Sequence, residues 1–139
     1  MANELFLDTS YALALSNLRD QHHAAAVELA RRIRLERTRL ITTHAVILEI
    51  GNAMAKARQR SAGLDLIEAL QDDPAVEIVP LSEELFAEGV AFYRRHQDKE
   101  WGLTDCISFV VMHTRSLREA LTADNHFRQA GFRAVLAES

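Results

Sequence analysis

Acidic residues follow two apolar runs of this chain, at the positions where a strand would end. Asp8 directly follows the run 5–7, and Asp124 lies just after a second run at 120–122. If both runs are parallel strands, both carboxylates lie at the carboxyl edge of one sheet. Ligands of open α/β sheets bind at that edge.

Two further acids fall on predicted helices. Asp105 stands in the first turn of an apolar helical stretch, and Glu49 lies inside another apolar helical stretch. Each acid also has an ordinary explanation when taken singly. Asp8 can cap a helix, Asp105 can complement a helix dipole, and Glu49 can face solvent.

Taken together, the four carboxylates indicate a metal site. Carboxylates brought to one place repel each other, and such a cluster persists when divalent cations neutralise it. Hard oxygen ligands select Mg²⁺ or Mn²⁺. A zinc site is not indicated, because Cys106 is the only cysteine and the six histidines form no pair at helical spacing.

Length and composition predict a single domain spanning residues 1–139. The net charge of −4, from 16 basic and 20 acidic residues, argues against a protein that coats nucleic acid in general. No apolar run is long enough to span a membrane, and no signal-peptide pattern stands at the N-terminus. A lone cysteine suits a reducing compartment, so we expect a cytoplasmic protein.

Strand and helix patterns alternate along much of the chain and predict an α/β fold with a central, mostly parallel sheet flanked by helices. The predicted strands are 5–7, 40–42, 76–79, 120–122 and 132–136. The predicted helices are 11–18, 22–37, 44–58, 62–71, 82–96, 104–112 and 125–130. Thr104 is the predicted N-cap of the helix at 104–112, which is apolar nearly all round and should be the most buried helix.

Four segments that span nearly the whole chain carry a further signal, and they are, in order, Phe6-Leu7-Asp8-Thr9-Ser10, Glu49 with Asn52, Leu103 to Met112 with its Thr-Asp-Cys-Ile-Ser stretch, and Leu121-Thr122-Ala123-Asp124-Asn125-His126-Phe127. In this order they resemble the PIN-domain family, in particular its VapC-type ribonuclease toxins. The Thr-Asp-Cys-Ile-Ser and Ala-Asp-x-His-Phe stretches are the more specific ones. No phosphate-binding glycine loop is present.

The resemblance implies a metal-dependent endoribonuclease in which one or two Mg²⁺ or Mn²⁺ ions are held by Asp8, Glu49, Asp105 and Asp124. It implies that hydroxyls orient ligands or waters, namely those of Thr9, Ser10 and Thr104. A metal lowers the pKa of bound water, so no protein nucleophile is needed; Ser10 is a formal alternative, without a histidine placed to activate it. The resemblance also implies a homodimer, a small antitoxin partner, and products with 5′-phosphate and 3′-hydroxyl ends.

Candidate RNA contacts lie outside these segments. Lys56, Arg58 and Arg60 form a basic run on or just past the helix that carries Glu49. Trp101 either stacks on a base or covers the core. A denser run of arginines at 31–39 is interpreted as a solvated helix face, and His126 as a structural residue.

Other classes remain as alternatives. A receiver-like signalling domain also gathers acids around Mg²⁺, but it needs a lysine at a late strand end, and the only lysines are Lys56 and Lys99. A housekeeping PIN nuclease without an antitoxin, a metal-dependent DNA nuclease and a non-catalytic RNA-binding module complete the set. Cleavage assays separate these alternatives.

Overall fold

The computed structural model describes residues 2–138, in which one parallel sheet is covered by helices. The strands are β1 Glu4–Leu7, β2 Arg39–Thr43, β3 Val76–Val79, β4 Glu119–Leu121 and β5 Arg133–Ala134. The helices are α1 Thr9–Ser16, α2 His23–Glu36, α3 His44–Ala53, α4 Ala57–Asp72, α5 Glu83–Arg95, α6 Leu103–Thr114 and α7 Asn125–Gln129. A 3-10 turn, Val135–Glu138, ends the described part.

The strand order β3-β2-β1-β4-β5 places β1 at the centre of the sheet, and all neighbouring strands pair in parallel. The chain moves outward from β1 through β2 to β3, then returns to the opposite side of β1 for β4. This reversal opens a crevice between the carboxyl ends of β1 and β4, the place where such sheets bind ligands. The predicted α/β class with a mostly parallel sheet is confirmed.

Burial follows the apolar runs. Leu5, Phe6 and Leu7 of β1 are almost entirely buried, because helices cover both faces of a parallel sheet. In α6, every residue from Cys106 to Met112 is buried, and no other helix of residues 2–138 has as many buried residues. The prediction that this helix is the most buried one is confirmed.

Several predicted boundaries were wrong. The helix predicted at 44–58 ends at Ala53, and the helix predicted at 62–71 already begins at Ala57 as α4. The apolar patterns of the two helices run into each other in the sequence, so the break between them was misplaced. The last strand is only Arg133–Ala134, since the chain then tightens into the 3-10 turn. Gly102 rather than Thr104 is the N-cap of α6, and Thr104 lies within its first turn.

No helix within residues 2–138 is both long and apolar enough to cross a membrane.

The packing of α5 on α6 depends on Gly89. A Cβ atom at this position would lie 2.5 Å from Cγ1 of Ile107, which is closer than two non-bonded carbon atoms approach in proteins. We predict that Gly89→Ala lowers the free energy of unfolding by about 1–3 kcal/mol, because the two helices must move apart. Urea denaturation measures the change.

Gly51→Ala is the matched control, since it is also a substitution inside a helix. Its added Cβ would meet only Cδ1 of Ile67, at an ordinary 3.6 Å. We expect stability to stay the same or rise by up to about 1 kcal/mol, the helix-propensity gain of alanine over glycine. Equal losses in both variants would contradict the role assigned to Gly89.

Candidate metal centre

Asp8 is held at the end of the central strand. Its backbone N–H donates to the carbonyl of Leu121 at 3.3 Å, which extends the pairing of β1 with β4 by one residue. The residue is only 4% exposed. Asp8 occupies the N-cap position of α1, but its side chain makes no capping hydrogen bond. The simple capping explanation for this carboxylate is therefore wrong.

Two hydroxyls hold the Asp8 carboxylate in place. Thr122 Oγ1 donates to Oδ2 of Asp8 at 2.8 Å, and Ser10 Oγ donates to the same oxygen at 3.2 Å. Oδ2 accepts both hydrogen bonds, so these two contacts leave Oδ1 available to a cation.

The same hydroxyls fix the loop that carries Asp124. Thr122 Oγ1 accepts a hydrogen bond from the backbone N–H of Asp124 at 3.0 Å, and Ser10 Oγ accepts one from Ala123 at 3.2 Å. The Asp124 side chain caps α7 by accepting from the N–H of His126 at 2.9 Å. One buried network thus joins the ends of β1 and β4.

Thr122 is a site residue that the sequence analysis did not single out. It is completely buried and links both aspartates. The available signal was a hydroxyl at the end of an apolar strand, two residues before a candidate ligand, but only the tertiary structure shows its partner on β1.

Asp105 faces Asp124 from the first turn of α6, with His126 between them. Nδ1 of His126 lies 3.0 Å from Oδ2 of Asp105 and 3.5 Å from Oδ1 of Asp124. Each of the three residues offers a ligand atom, and these atoms lie within 4.8 Å of one another. His126 is therefore more than the structural residue that the sequence indicated, because its ring contacts two of the predicted ligands.

Glu49 completes the group from the side of α3. Oε1 of Glu49 accepts a short hydrogen bond from the hydroxyl of Thr9, and the residue is half-buried rather than turned to solvent. The negative charge of Glu49 helps to raise the pKa values of both Asp8 and Asp105. The structure thus brings all four predicted carboxylates to one crevice.

Burial and mutual repulsion raise the pKa values of the inner carboxyls. Loss of water is the main cause at Asp8, whose pKa rises to about 6; the Thr122 hydrogen bond opposes the rise, and the charge of Asp105 adds to it. Burial also raises the pKa of Asp105, with the charge of Asp124 adding to the effect. A cation in the crevice would offset this repulsion and lower the pKa values of the carboxyls again.

The donor set fits a hard divalent ion. Carboxylate oxygens dominate it, as Mg²⁺ and Mn²⁺ prefer, and the His126 nitrogen is also acceptable to Mn²⁺. Exposure increases across the cluster, from the buried Asp8 to the side chains of Asp105 at 14% and Asp124 at 36%. Ion and substrate would therefore enter from the side of Asp124.

The remaining predicted residues form no hydrogen bond with the four carboxylates within residues 2–138. The hydroxyl of Thr104 makes no hydrogen bond within residues 2–138, so its predicted role stays a prediction. Arg60 donates from Nη1 to the carbonyl of Ala55 at 2.8 Å and thereby supports the turn between α3 and α4. Lys56 and Arg58 are exposed beside that turn, and their contact with RNA stays a prediction.

Trp101 covers the core and is not an open stacking platform. It is only 6% exposed, its ring packs edge-on against Phe109, and its Nε1–H donates to Oε1 of Gln129 at 3.0 Å. The base-stacking alternative for this residue is therefore wrong. In the arginine run, Arg31 and Arg32 pair with glutamates of their own helix, as expected of a solvated face.

Comparisons with known proteins agree with this architecture. A family model described as the PIN domain matches residues 5–133. The 23S rRNA-specific endonuclease VapC20 of Mycobacterium tuberculosis is 25% identical over 134 residues, which cover 96% of this chain and 99% of that protein, in each of two strains. The crystal structure of VapC20, titled a sarcin-ricin loop cleaving toxin, superimposes with a TM-score of 0.81 at 24% identity, covering 94% of this chain and 97% of that one.

Removal of the Asp8 charge should stabilise the metal-free protein. Because the folded-state pKa of about 6 lies above the ordinary value of 3.8 for an aspartate, folding favours the protonated form, and stability is lost as the pH rises from about 4 to about 6. We predict that Asp8→Asn abolishes this loss and raises the free energy of unfolding at pH 8 by up to about 3 kcal/mol. Urea denaturation in chelator, at pH 4.5 and pH 8, measures both effects.

Asp65→Asn is the control, since it removes an exposed aspartate on α4. We expect it to unfold like the parent protein at both pH values. A destabilised Asp8→Asn protein would show instead that the carboxylate contributes to the fold.

Proposed function

The chain belongs to the PIN-domain family, and from this membership we propose that it is a metal-dependent endoribonuclease. The observation that carries the proposal is the convergence of four carboxylates at the crevice between β1 and β4. Asp8 and Asp124 follow β1 and β4, whereas Glu49 lies on α3 and Asp105 on α6, and the strand order and the helix packing together bring them to one place. The similarity to VapC20, which is named as an endonuclease of 23S rRNA, favours RNA as the substrate class.

The carboxylates of Asp8, Glu49, Asp105 and Asp124 would hold the ion, and each has a polar neighbour that fixes its position. Asp8 is held by Thr122 and Ser10, Glu49 by Thr9, Asp105 by the His126 ring, and Asp124 by the backbone N–H of His126. A divalent ion held there would supply the Lewis acidity and the activated water that phosphodiester hydrolysis requires.

Ser10 is not placed to act as a nucleophile. Its hydroxyl is engaged with Asp8 and with the backbone of Ala123, and no histidine of residues 2–138 hydrogen bonds to it. The chain thus positions carboxylates and contributes no attacking group of its own. Attack of water on the phosphorus, with cleavage of the bond to the 3′ oxygen and protonation of that leaving oxygen, yields the expected 5′-phosphate and 3′-hydroxyl ends.

Partners follow from the same family relationship. We propose that the protein acts in the cytoplasm as a homodimeric toxin that a small antitoxin protein neutralises. The similarity to VapC20 over nearly the full length of both chains supports the toxin assignment against a housekeeping nuclease. A receiver-like domain is not supported, since Lys56 and Lys99 both lie outside the strands.

Cleavage assays test the nuclease directly. We predict that the purified protein cleaves RNA with Mg²⁺ or Mn²⁺, that chelator abolishes cleavage, and that Asp105→Asn lowers the rate by more than about 100-fold, because ligand loss weakens the metal site. The panel holds unstructured RNAs, a stem-loop with the sarcin-ricin sequence, and single-stranded DNAs of the same sequences.

Asp65→Asn again serves as the control and should retain full activity. Cleavage that resists chelator would overturn the metal-dependent mechanism. An Asp105→Asn protein with full activity would remove that residue from the centre, and a preference for the DNA strands would favour a DNA nuclease.

Growth assays test the toxin assignment. We predict that induction of the chain in bacteria arrests growth, and that co-expression of the small protein encoded beside it relieves the arrest. Asp105→Asn should not arrest growth, although it accumulates to the same level. Unimpeded growth with an enzyme active in the test tube would instead support a housekeeping nuclease.

A further inference from the structure

A cavity of about 450 Å³ lies between the C-terminal half of α5, the loop that follows it and the first turn of α6. We call it the α5–α6 cavity, and its lining includes Tyr93, Arg94, Gln97, Lys99, Trp101 and Cys106. Its volume falls in the range of sites that bind small organic groups.

The lining carries positive charge although the chain as a whole is acidic. Arg94 and Lys99 line the cavity, no aspartate or glutamate does, and the net charge of the chain is −4. The guanidinium of Arg94 forms no ion pair within residues 2–138. Lys99 pairs with the exposed Asp98 at 3.3 Å, and its Nζ lies 6.0 Å from the ring centre of Trp101. A surface ion pair of this kind is weak and is readily exchanged for a phosphate.

An aromatic surface accompanies these charges. Tyr93 lines the cavity and is 51% exposed, so its ring is accessible to a ligand. Trp101 forms part of the wall but is fixed in the core. A basic cavity with an accessible ring is the combination that binds single-stranded nucleic acid, in which the cations contact phosphates and a base stacks on the ring.

The cavity and the carboxylate crevice are built on the same elements of the fold. Cys106 in its lining directly follows Asp105, and the loop that forms its rim ends at Gly102, the N-cap of α6. The indole of Trp101 donates to Gln129 of α7, the helix that also carries His126 against Asp105. The wall of the α5–α6 cavity and the carboxylate crevice are therefore both held by α6 and α7.

We propose that the α5–α6 cavity binds an RNA nucleotide adjacent to the scissile phosphodiester, with Arg94 and Lys99 contacting its phosphates and Tyr93 stacking on its base. This inference rests on the proposed nuclease function and adds to it the place where the substrate is held. The residues act in binding and positioning the RNA.

The test compares two neighbouring arginines of α5. Arg94 lines the cavity, whereas the guanidinium of Arg95 lies 5.5 Å from the ring centre of Phe92 and outside the cavity. Because Arg94→Gln and Arg95→Gln change the net charge equally, a difference between them reports on the cavity. We expect Arg94→Gln to weaken binding of a fluorescein-labelled single-stranded RNA in chelator about tenfold and to reduce the salt slope by about 1, with Arg95→Gln within about twofold of wild type.

Kinetics and a ring-preserving variant complete the test. In Mg²⁺ we expect Arg94→Gln to raise KM more than it lowers kcat. Tyr93→Ala should weaken RNA binding, and Tyr93→Phe, which keeps the stacking surface, should restore it. Replacing the bases of the RNA with abasic sites, one position at a time, should identify a nucleotide whose loss affects the wild type but not Tyr93→Ala.

The outcomes separate this inference from the proposed function. Equal effects of Arg94→Gln and Arg95→Gln in an active enzyme would overturn the cavity assignment and leave the nuclease intact. Unchanged RNA affinity in Arg94→Gln, together with weaker binding of the antitoxin, would assign the cavity to a protein instead. If the wild type cleaves no RNA, the proposed function fails, while the binding measurement in chelator still decides what the cavity binds.

Discussion

The structure depends on one electrostatic constraint: a buried carboxylate at the end of the central strand, next to other carboxylates. Asp8 has lost most of its contact with water, and the charges of Asp105 and Glu49 raise its pKa further. Such an arrangement is unfavourable for an isolated protein, because burial and repulsion both oppose ionisation. A divalent cation bound beside Asp8 would offset both effects, and this is the physical basis of the proposed metal site.

The surrounding polar groups make this constraint tolerable. Thr122 and Ser10 hydrogen bond to one oxygen of Asp8 and also fix the loop of Asp124, so no buried side-chain polar atom in the described part of the chain lacks a partner. The strand order provides the space for these residues, since the reversal of the strand order at β1 opens the crevice that they line. The carboxylate cluster therefore lies at the junction of β1 with β4, and Asp124 is its more exposed end.

Substrate binding is separated from the ion. The crevice is acidic and repels RNA when no metal is bound, whereas the neighbouring α5–α6 cavity is basic. A net-acidic chain can bind a polyanion if its cations are gathered at one place beside the ion. This division explains how a protein of charge −4 can act on nucleic acid.

The sequence by itself determined the α/β class, the buried character of α6 and the four acids, because apolar runs, helical periodicity and motif order are local properties of the chain. It did not determine the break between Ala53 and Ala57, where two apolar patterns join, or the burial of Trp101, which depends on contacts with Phe109 and Gln129. The roles of Thr122 and His126 also required the fold, since their partners lie 114 and 21 residues away. Only the tertiary structure decided these points, because hydrogen bonds and packing between distant segments leave no periodic signal in the sequence.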